Sequence, residues 1–81
     1  MYCHRDDGDV EMYKVEVKSD SPFIGVALMD SGLADQYDAM VIAIERNGDF
    51  ILNPSARITF QPNDLVWFVA QKAKAEVLIN S

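Results

Sequence analysis

The chain has 81 residues, 49% of them hydrophobic, with 7 Lys and Arg against 13 Asp and Glu, for a formal net charge of −6. This length allows one domain, and a core in a chain this small rarely contributes more than about 3–5 kcal/mol without disulfides, metals or partner subunits. A single cysteine excludes an internal disulfide, and one cysteine with one histidine argues against a structural zinc site. Surplus apolar surface covered by a second subunit is therefore the expected supplement.

The acidic balance also argues against nucleic acid and anionic membranes as partners. Phosphate binding needs clustered Lys and Arg, whereas the seven basic residues of this chain are scattered singly. No apolar run approaches the ~20 residues that span a bilayer, and no signal peptide precedes the acidic start. We expect a soluble, cytoplasmic domain.

The first third of the chain predicts a linker, a strand and a helix. Residues 1–11, "MYCHRDDGDVE", are polar and acidic and read as a flexible linker left from a preceding segment. "MYKVEVK" alternates apolar and charged residues, the period of a half-buried strand. Ser21-Pro22 favours a helix start and Gly32 a helix stop. Between them one helical face would hold Ile24, Ala27 and Leu28.

The remainder predicts three strands, a short extended piece and a closing helix. "LADQYD" could add one helical turn. Residues 40–44 and 65–70 are apolar at nearly every position, so both faces of each strand should be covered. Asn47-Gly48 tolerates positive φ at both central positions of a tight hairpin turn, from which Phe50 to Leu52 return antiparallel. "ARITF" is the short extended piece, and the closing helix "QKAKAEVLIN" would bury Ala73, Val77 and Leu78.

This order, strand-helix-strand-hairpin-strand-strand-helix, predicts an α+β fold: a small, mostly antiparallel β-sheet with helices on one face.

The sequence carries no recognisable catalytic set, and we expect neither an enzyme nor a cofactor. Cys3-His4 beside three aspartates resembles a metal-binding cluster, but adjacent side chains cannot easily reach one ion. Trp67 and the nearby phenylalanines are typical of a core or a subunit interface rather than a stacking platform. Glu45 and Arg46 are interpreted as a rim pair and Asp64 as the cap of its own turn.

Three stretches, "YKVEVKSDSPFIGVAL", "YDAMVIAIERNGDFILNPSARI" and "QPNDLVWFVA", together resemble the TrkA C-terminal (RCK_C) domain family. The family pattern is a strand, Ser-Pro-hydrophobic-hydrophobic-Gly, a Gly-Leu step, an apolar strand ending Ile-x-Arg before a glycine turn, an Ile-x-x-Pro strand and a Pro/Gly-Asp turn. The matching residues are Ser21, Pro22, Ile24, Gly25, Leu28, Gly32, Leu33, Tyr37, Ile42, Ala43, Ile44, Arg46, Gly48, Ile51, Pro54, Ile58, Pro62, Asp64 and Leu65.

The resemblance implies a non-catalytic regulatory domain spanning residues 12–81, which dimerises and is attached to a prokaryotic potassium or other cation transporter at the cytosolic face of the membrane. In some members a small ligand binds at the dimer interface. For this chain the expected ligand cleft and interface comprise Ile24, Ala27, Leu28, Met40, Val41, Ile42 and Ile44.

Members that bind cyclic di-AMP carry an Arg-Ala pair in the Leu-to-Tyr turn, an Asn in the following strand and a Pro after the Ile-x-x-Pro strand. This chain has Ala34-Asp35, Met40 and Ala56 there. Ala and Met cannot donate to phosphate or adenine and Asp35 would repel phosphate, so we expect a ligand other than cyclic di-AMP.

Two alternatives remain open. The domain could be an oligomerisation module without a ligand, or an acidic metal-binding module that uses Asp30, Asp35 and Asp38.

Overall fold

The computed structural model describes residues 10–79, which form a four-stranded antiparallel sheet with two α-helices packed on one face. The strand order is β1-β4-β2-β3, which confirms the predicted α+β fold class. The elements are β1 Val10–Glu16, a 3-10 helix Leu28–Asp30, α1 Leu33–Tyr37, β2 Met40–Arg46, β3 Asp49–Leu52, β4 Leu65–Gln71 and α2 Lys72–Ile79.

The hairpin between β2 and β3 turns where the sequence predicts it. Asn47 and Gly48 have φ angles of 54° and 85°, the pair of positive values that a two-residue hairpin turn needs. Strand β2 then pairs with β3 through Arg46 opposite Asp49.

The α-helix predicted between Ser21-Pro22 and Gly32 is wrong, and only the 3-10 helix Leu28–Asp30 forms in this segment. Gly25 has a φ of 79°, and its amide donates to the carbonyl of Phe60 at 2.9 Å, a contact outside any helix. The Leu28 amide likewise donates to the Ile58 carbonyl at 2.8 Å. The predicted extended piece pairs with this segment through two isolated bridges, Ile24 with Phe60 and Ala27 with Thr59. These bridges keep the segment out of a helical conformation, and the α-helix begins only after Gly32.

The core lies between the helices and one face of the sheet. Strand β4 alternates buried and half-buried residues, and its buried side chains meet Leu33 and Ala75 from the two helices. Helix α2 packs through Ala75 and Leu78, whereas Ala73 and Val77, which the sequence placed on its buried side, are exposed. The buried core residues are Val17, Leu33, Ala39, Ile44, Phe60, Val66, Phe68, Ala70 and Ala75.

The opposite face of the sheet, called here the open face, has no helix of the described chain packed on it. Directly paired residues of neighbouring strands point to the same face, so the register of β4 with its neighbours assigns them. Trp67 and Val69 are only half-buried, so the prediction that both faces of this strand are covered is wrong within one chain. The open face comprises Val10, Met12, Lys14, Glu16, Met40, Ala43, Glu45, Phe50, Leu52, Leu65, Trp67, Val69 and Gln71.

Residues 1–9 of the predicted linker lie outside the described residues. Val10 and Glu11 belong to β1 and pair with Gln71 and Ala70. The Cys3-His4 cluster also lies outside the described range. Between residues 10 and 79, no helix has the length and apolar character that crossing a bilayer requires.

Candidate ligand-binding groove

A groove of about 670 Å³ opens where the 3-10 helix, α1, the start of β2 and the loop after β3 meet. Its volume lies within the range of roughly 300–1,000 Å³ that is typical of small-molecule sites. The lining residues are Leu28, Met29, Gly32, Leu33, Ala34, Asp35, Asp38, Ala39, Met40, Val41 and Ala56.

Ser31 and Gly32 shape the entry to α1 at the back of the groove. The Ser31 hydroxyl donates to the Leu28 carbonyl at 2.7 Å and accepts from the Leu33 amide at 3.2 Å. Gly32 has a φ of 81°, a conformation that glycine adopts without strain. The chain can therefore reverse between the 3-10 helix and α1 within two residues.

The end of α1 is closed by Asp38 and held against α2. Asp38 has a φ of 51°, and the Ala39 amide reaches back to the Leu33 carbonyl at 2.8 Å, which satisfies a carbonyl of the last turn. Lys74 of α2 donates to the Asp38 carboxylate. Strand β2 thus begins immediately beside α1, so Met40 and Val41 reach the groove.

The groove is completed, beside the 3-10 helix, α1 and the start of β2, by the loop that follows β3. The Met29 amide donates to the Ala56 carbonyl at 2.9 Å, and this bond fastens the loop to the 3-10 helix. The Ser55 hydroxyl accepts from the Arg57 amide at 3.2 Å and tightens the same loop. Ala56 therefore lines the groove together with α1, although β2 and β3 lie between them in the chain.

The chemistry of the groove is apolar with an acidic rim. None of its lining side chains is a hydroxyl, an amide or a base, and its two carboxylates are Asp35 and Asp38. Lys74 already pairs with Asp38. Such a lining can bind a ligand through apolar contact and backbone groups.

The structure places the predicted site residues in three environments. Leu28, Met40 and Val41 line the groove. Ile24 and Ala27 lie outside it and form isolated bridges with Phe60 and Thr59.

Ile42 and Ile44 also lie outside the groove. Ile42 is half-buried beside the irregularity in the pairing of β2 with β4. Ile44 is 0% exposed and packs in the core cluster of the described chain.

The positions singled out by the resemblance do converge. Ala34, Asp35, Met40 and Ala56 all line the groove. Sequence reasoning missed Met29, which follows the predicted Leu28 and faces the same space. It named Asp38 only for the metal-binding alternative and missed Ala39, because the placement of both residues depends on how α1 ends.

The acidic metal-binding alternative is wrong for the described part of the chain. Residues 10–79 contain no group of three or more Asp, Glu, His or Cys side chains that could hold a metal ion. Asp35 and Asp38 share the groove, whereas Asp30 does not line it.

A buried ion pair lies at the other end of β2. The Arg46 guanidinium grips the Asp64 carboxylate through two bonds, Nε to Oδ1 at 2.9 Å and Nη2 to Oδ2 at 2.7 Å, and also donates to the Thr59 carbonyl at 2.9 Å. Asp64 accepts in addition from the Gln61 amide at 2.9 Å, which confirms that it caps its own turn. The interpretation of Arg46 as a rim pair with Glu45 is wrong.

Burial raises the pKa of Asp64, but the hydrogen bonds from Arg46 and the Gln61 amide, with the charge of Arg46, outweigh it and leave this pKa below its usual value of 3.8. The bond to Asp64 in turn raises the pKa of Arg46. The pair therefore stays charged at neutral pH and serves the fold rather than the groove.

The family model of the TrkA-C domain matches residues 12–81. No curated protein matches the chain. Among solved structures, the RCK_C domain dimer of S. agalactiae BusR in complex with c-di-AMP is 26% identical, with a TM-score of 0.72, and the match covers 85% of this chain and 95% of that one.

Two further solved structures share the fold. The RCK C domain of the potassium transport protein KtrA, in complex with cyclic diadenosine monophosphate, is 24% identical with a TM-score of 0.73, covering 86% of this chain and 82% of that one. S. agalactiae BusR in complex with its busAB promoter DNA is 23% identical with a TM-score of 0.72, covering 99% of this chain but 39% of the BusR chain.

The family model spans nearly all of the described sheet and helices, and the fold agrees with the solved RCK_C domains. The resemblance drawn from the sequence is therefore confirmed. The chain belongs to the TrkA-C (RCK_C) family of regulatory domains.

Proposed function

We propose that this chain is a dimeric, non-catalytic regulatory domain that binds a small ligand in the groove and controls a potassium or other cation transport protein. It would act in the cytoplasm, at the cytosolic face of the membrane, through the transporter to which it is attached or bound. The observation that carries the proposal is the groove of about 670 Å³, which gathers the four positions that the family resemblance assigns to ligand contact.

The groove suits a sensor because its walls come from separate elements. The 3-10 helix is joined to the chain that follows β3 by backbone hydrogen bonds from Met29 to Ala56 and from Leu28 to Ile58, whereas α1 and β2 follow one another in the chain. A ligand that binds one arrangement of these walls more tightly shifts the population toward it, by no more than its difference in affinity. In a dimer that shift can reach the attached transporter.

Support for the transport role comes from KtrA, which is described as a potassium transport protein with a regulator-of-conductance domain. Support for dimerisation comes from BusR, whose RCK_C domain is described as a dimer.

We further propose that the ligand is not cyclic di-AMP, although the BusR and KtrA structures contain it. Ala34 and Met40 offer no side-chain donor, and the negative charge of Asp35 opposes a phosphate in the same groove. Isothermal titration at micromolar protein is expected to show no saturable heat with cyclic di-AMP. Saturable heat from the unmodified chain would contradict this proposal.

A gain-of-binding variant makes the same test sharper. Combining Ala34→Arg, Asp35→Ala, Met40→Asn and Ala56→Pro restores the residues that cyclic di-AMP-binding members carry. We expect measurable binding of this variant in the titration. As a matched control, Asp30→Asn removes a nearby exposed charge outside the groove and should leave the chain without binding.

We also propose that the chain does not bind DNA, since its net charge is −6. The BusR chain that holds promoter DNA is matched over only 39% of its length. An electrophoretic mobility assay with random duplex DNA at low salt tests this, and a salt-dependent shift would contradict it.

A pure oligomerisation module remains the second candidate, favoured by the large exposed side chains of the open face, such as Leu52 at 73% and Met40 at 66%. Thermal-shift screening with nucleotides and monovalent cations separates the two functions. A ligand that binds only the folded state raises the midpoint of unfolding, whereas a ligand-free module responds to none.

A further inference from the structure

The side chains that line the groove indicate which kind of ligand it suits. Asp35 and Asp38 are the two charged residues of the lining, and every other lining residue is apolar or glycine. None of the lining side chains is basic, and none carries an N–H or O–H donor. The groove therefore combines apolar contact with negative charge.

The Asp35 carboxylate has no partner within the described chain. It is exposed, and it makes no hydrogen bond or ion pair with a side chain of residues 10–79. A positive group bound in the groove is attracted to this carboxylate, whereas a negative group is repelled by it.

The Asp38 carboxylate already binds an ammonium group. Lys74 of α2, which is not a lining residue, donates to it from its Nζ atom. Since the lysine side chain is a primary amine on a flexible alkyl stem, the rim of the groove accommodates an alkylammonium that the chain itself supplies. The pair is exposed, with 58% of the Asp38 side chain and 43% of the Lys74 side chain accessible, so replacing this ammonium by another costs little.

We propose that the ligand of the groove is an aliphatic diamine or polyamine, whose ammonium groups bind Asp35 and Asp38 and whose methylene chain lies on the apolar walls. This inference rests on the proposed ligand-binding function and adds the chemical class of the ligand. Asp35 lies in α1 and Asp38 caps its end. Side chains three positions apart on a helix are separated by roughly 5–6 Å at Cβ, a distance that a short diamine spans.

The apolar walls suit a methylene chain. Met29 and Met40 are 60% and 66% exposed, and their unbranched thioether side chains adapt to a flexible ligand. Leu28 and Val41, both half-buried, extend the same apolar lining. Methylene groups that cover these side chains remove apolar surface from water, which favours binding.

Other classes of cation fit these residues less well. Calcium takes about six to eight oxygen ligands, and residues 10–79 contain no group of three or more Asp, Glu, His or Cys side chains that could hold a metal ion. A quaternary ammonium is recognised by the faces of aromatic rings, and no aromatic residue lines the groove. A primary or secondary ammonium instead donates to carboxylates, which are the polar side chains present.

Displacement of Lys74 gives the ligand a mechanical effect. Lys74 joins α2 to the end of α1 through the Asp38 carboxylate. An amine that takes this carboxylate releases Lys74 and removes a contact between the two helices. Ligand binding would therefore change how firmly α1, a wall of the groove, is held against α2.

Nuclear magnetic resonance titration of the full chain locates and measures the binding. The probes are three molecules of equal carbon chain length: diaminobutane, butanediol and succinate. We expect diaminobutane to shift the amide signals of Met29, Ala34 and Ala39, and we expect the diol and the dicarboxylate to leave them unchanged. Binding of butanediol or succinate in the groove as tightly as diaminobutane would overturn the inference.

Charge-matched variants separate a specific site from general attraction to an acidic chain. Asp35→Asn and Asp38→Asn should each raise the dissociation constant of diaminobutane roughly fivefold. Asparagine also tolerates the left-handed conformation of residue 38, so that variant keeps its backbone. Asp30→Asn removes the same charge outside the groove and should bind like the unmodified chain. Equal weakening in all three variants would overturn the inference.

Lys74→Met should change the affinity in the opposite direction. It removes the competing ammonium and keeps an apolar stem, so diaminobutane should bind roughly threefold more tightly. Lys72→Met is the matched control, because it makes the same change of charge on the same helix at an exposed position outside the groove. Equal affinities of the two variants for diaminobutane would contradict the displacement of Lys74.

The outcomes separate this inference from the proposed function. If diaminobutane leaves the groove amides unchanged and a compound from the thermal-shift screen shifts them, the ligand is not an amine, while the groove remains a ligand site. If no compound of either set binds, both fail.

Discussion

The ion pair between Arg46 and Asp64 fixes the relative position of two strands of the sheet. They are 18 positions apart, and the pair joins the end of β2 to the turn that precedes β4. The Asp64 carbonyl also accepts from the Val17 amide at 2.8 Å, so this residue holds the end of β1 as well. With the Asp64 side chain only 1% exposed, its charge depends on Arg46 for compensation.

Asp64→Asn is expected to be among the most damaging single changes. The amide keeps the shape but leaves Arg46 without its counter-charge, and breaking a buried pair in this way costs about 3–5 kcal/mol. Since Arg46 remains 19% exposed and keeps its bond to Thr59, we expect the lower end of that range. Urea unfolding measures it, with Asp30→Asn as the exposed control; equal stability of the two variants would contradict the assignment.

The Asp64 carboxylate also predicts that the folded chain loses stability at low pH. The pKa of Asp64 is lower in the folded chain than its usual 3.8, so the unfolded chain binds the proton first. Its contribution is fully present above that usual value and is lost as pH falls below it toward the folded pKa. Unfolding followed from pH 6 to pH 2 should show a steeper loss in the unmodified chain than in Asp64→Asn.

At the scale of elements, turns were predicted well and helices less well. Asn47-Gly48 turns as expected because its backbone angles are set by the two residues themselves. The segment from Ser21 to Leu28 has local helix signals but is drawn into bridges with Thr59 and Phe60. Tertiary contacts override a local preference that is worth only fractions of a kcal/mol per residue.

Gly48→Ala tests the hairpin. The position has a φ of 85°, and nothing lies within 4 Å of the place an added Cβ would occupy, so the cost is backbone strain alone. We expect a loss of about 1–2 kcal/mol in the free energy of unfolding. A synthetic Gly48→D-Ala chain is the control, because the mirror-image residue prefers positive φ and should restore stability. Equal values for the two alanine chains would rule out strain as the cause.

At the scale of the whole molecule, the described chain buries one face of its sheet and leaves the other open. The core cluster has nine hydrophobic residues, three of them alanines, which agrees with the thin margin of stability expected of so short a chain. Association should therefore supply part of the stability.

This makes the thermal midpoint depend on concentration. If two chains fold and associate together, a tenfold rise in chain concentration should raise the midpoint by roughly 3–5 °C. Differential scanning calorimetry over two decades of concentration measures it. An unmodified chain whose midpoint is constant would contradict coupled association.

The sequence alone determined the fold class, the hairpin turn, the turn cap at Asp64 and the family, because these depend on residue order and on local backbone preferences. It also named Ala34, Asp35, Met40 and Ala56, which the fold then brought into one groove. Only the tertiary structure decided that Ile44 is core, that Arg46 pairs with Asp64 and that the open face is apolar. Each of these depends on which strands become neighbours and on the register between them, and residues far apart in the chain carry no local signal of that pairing.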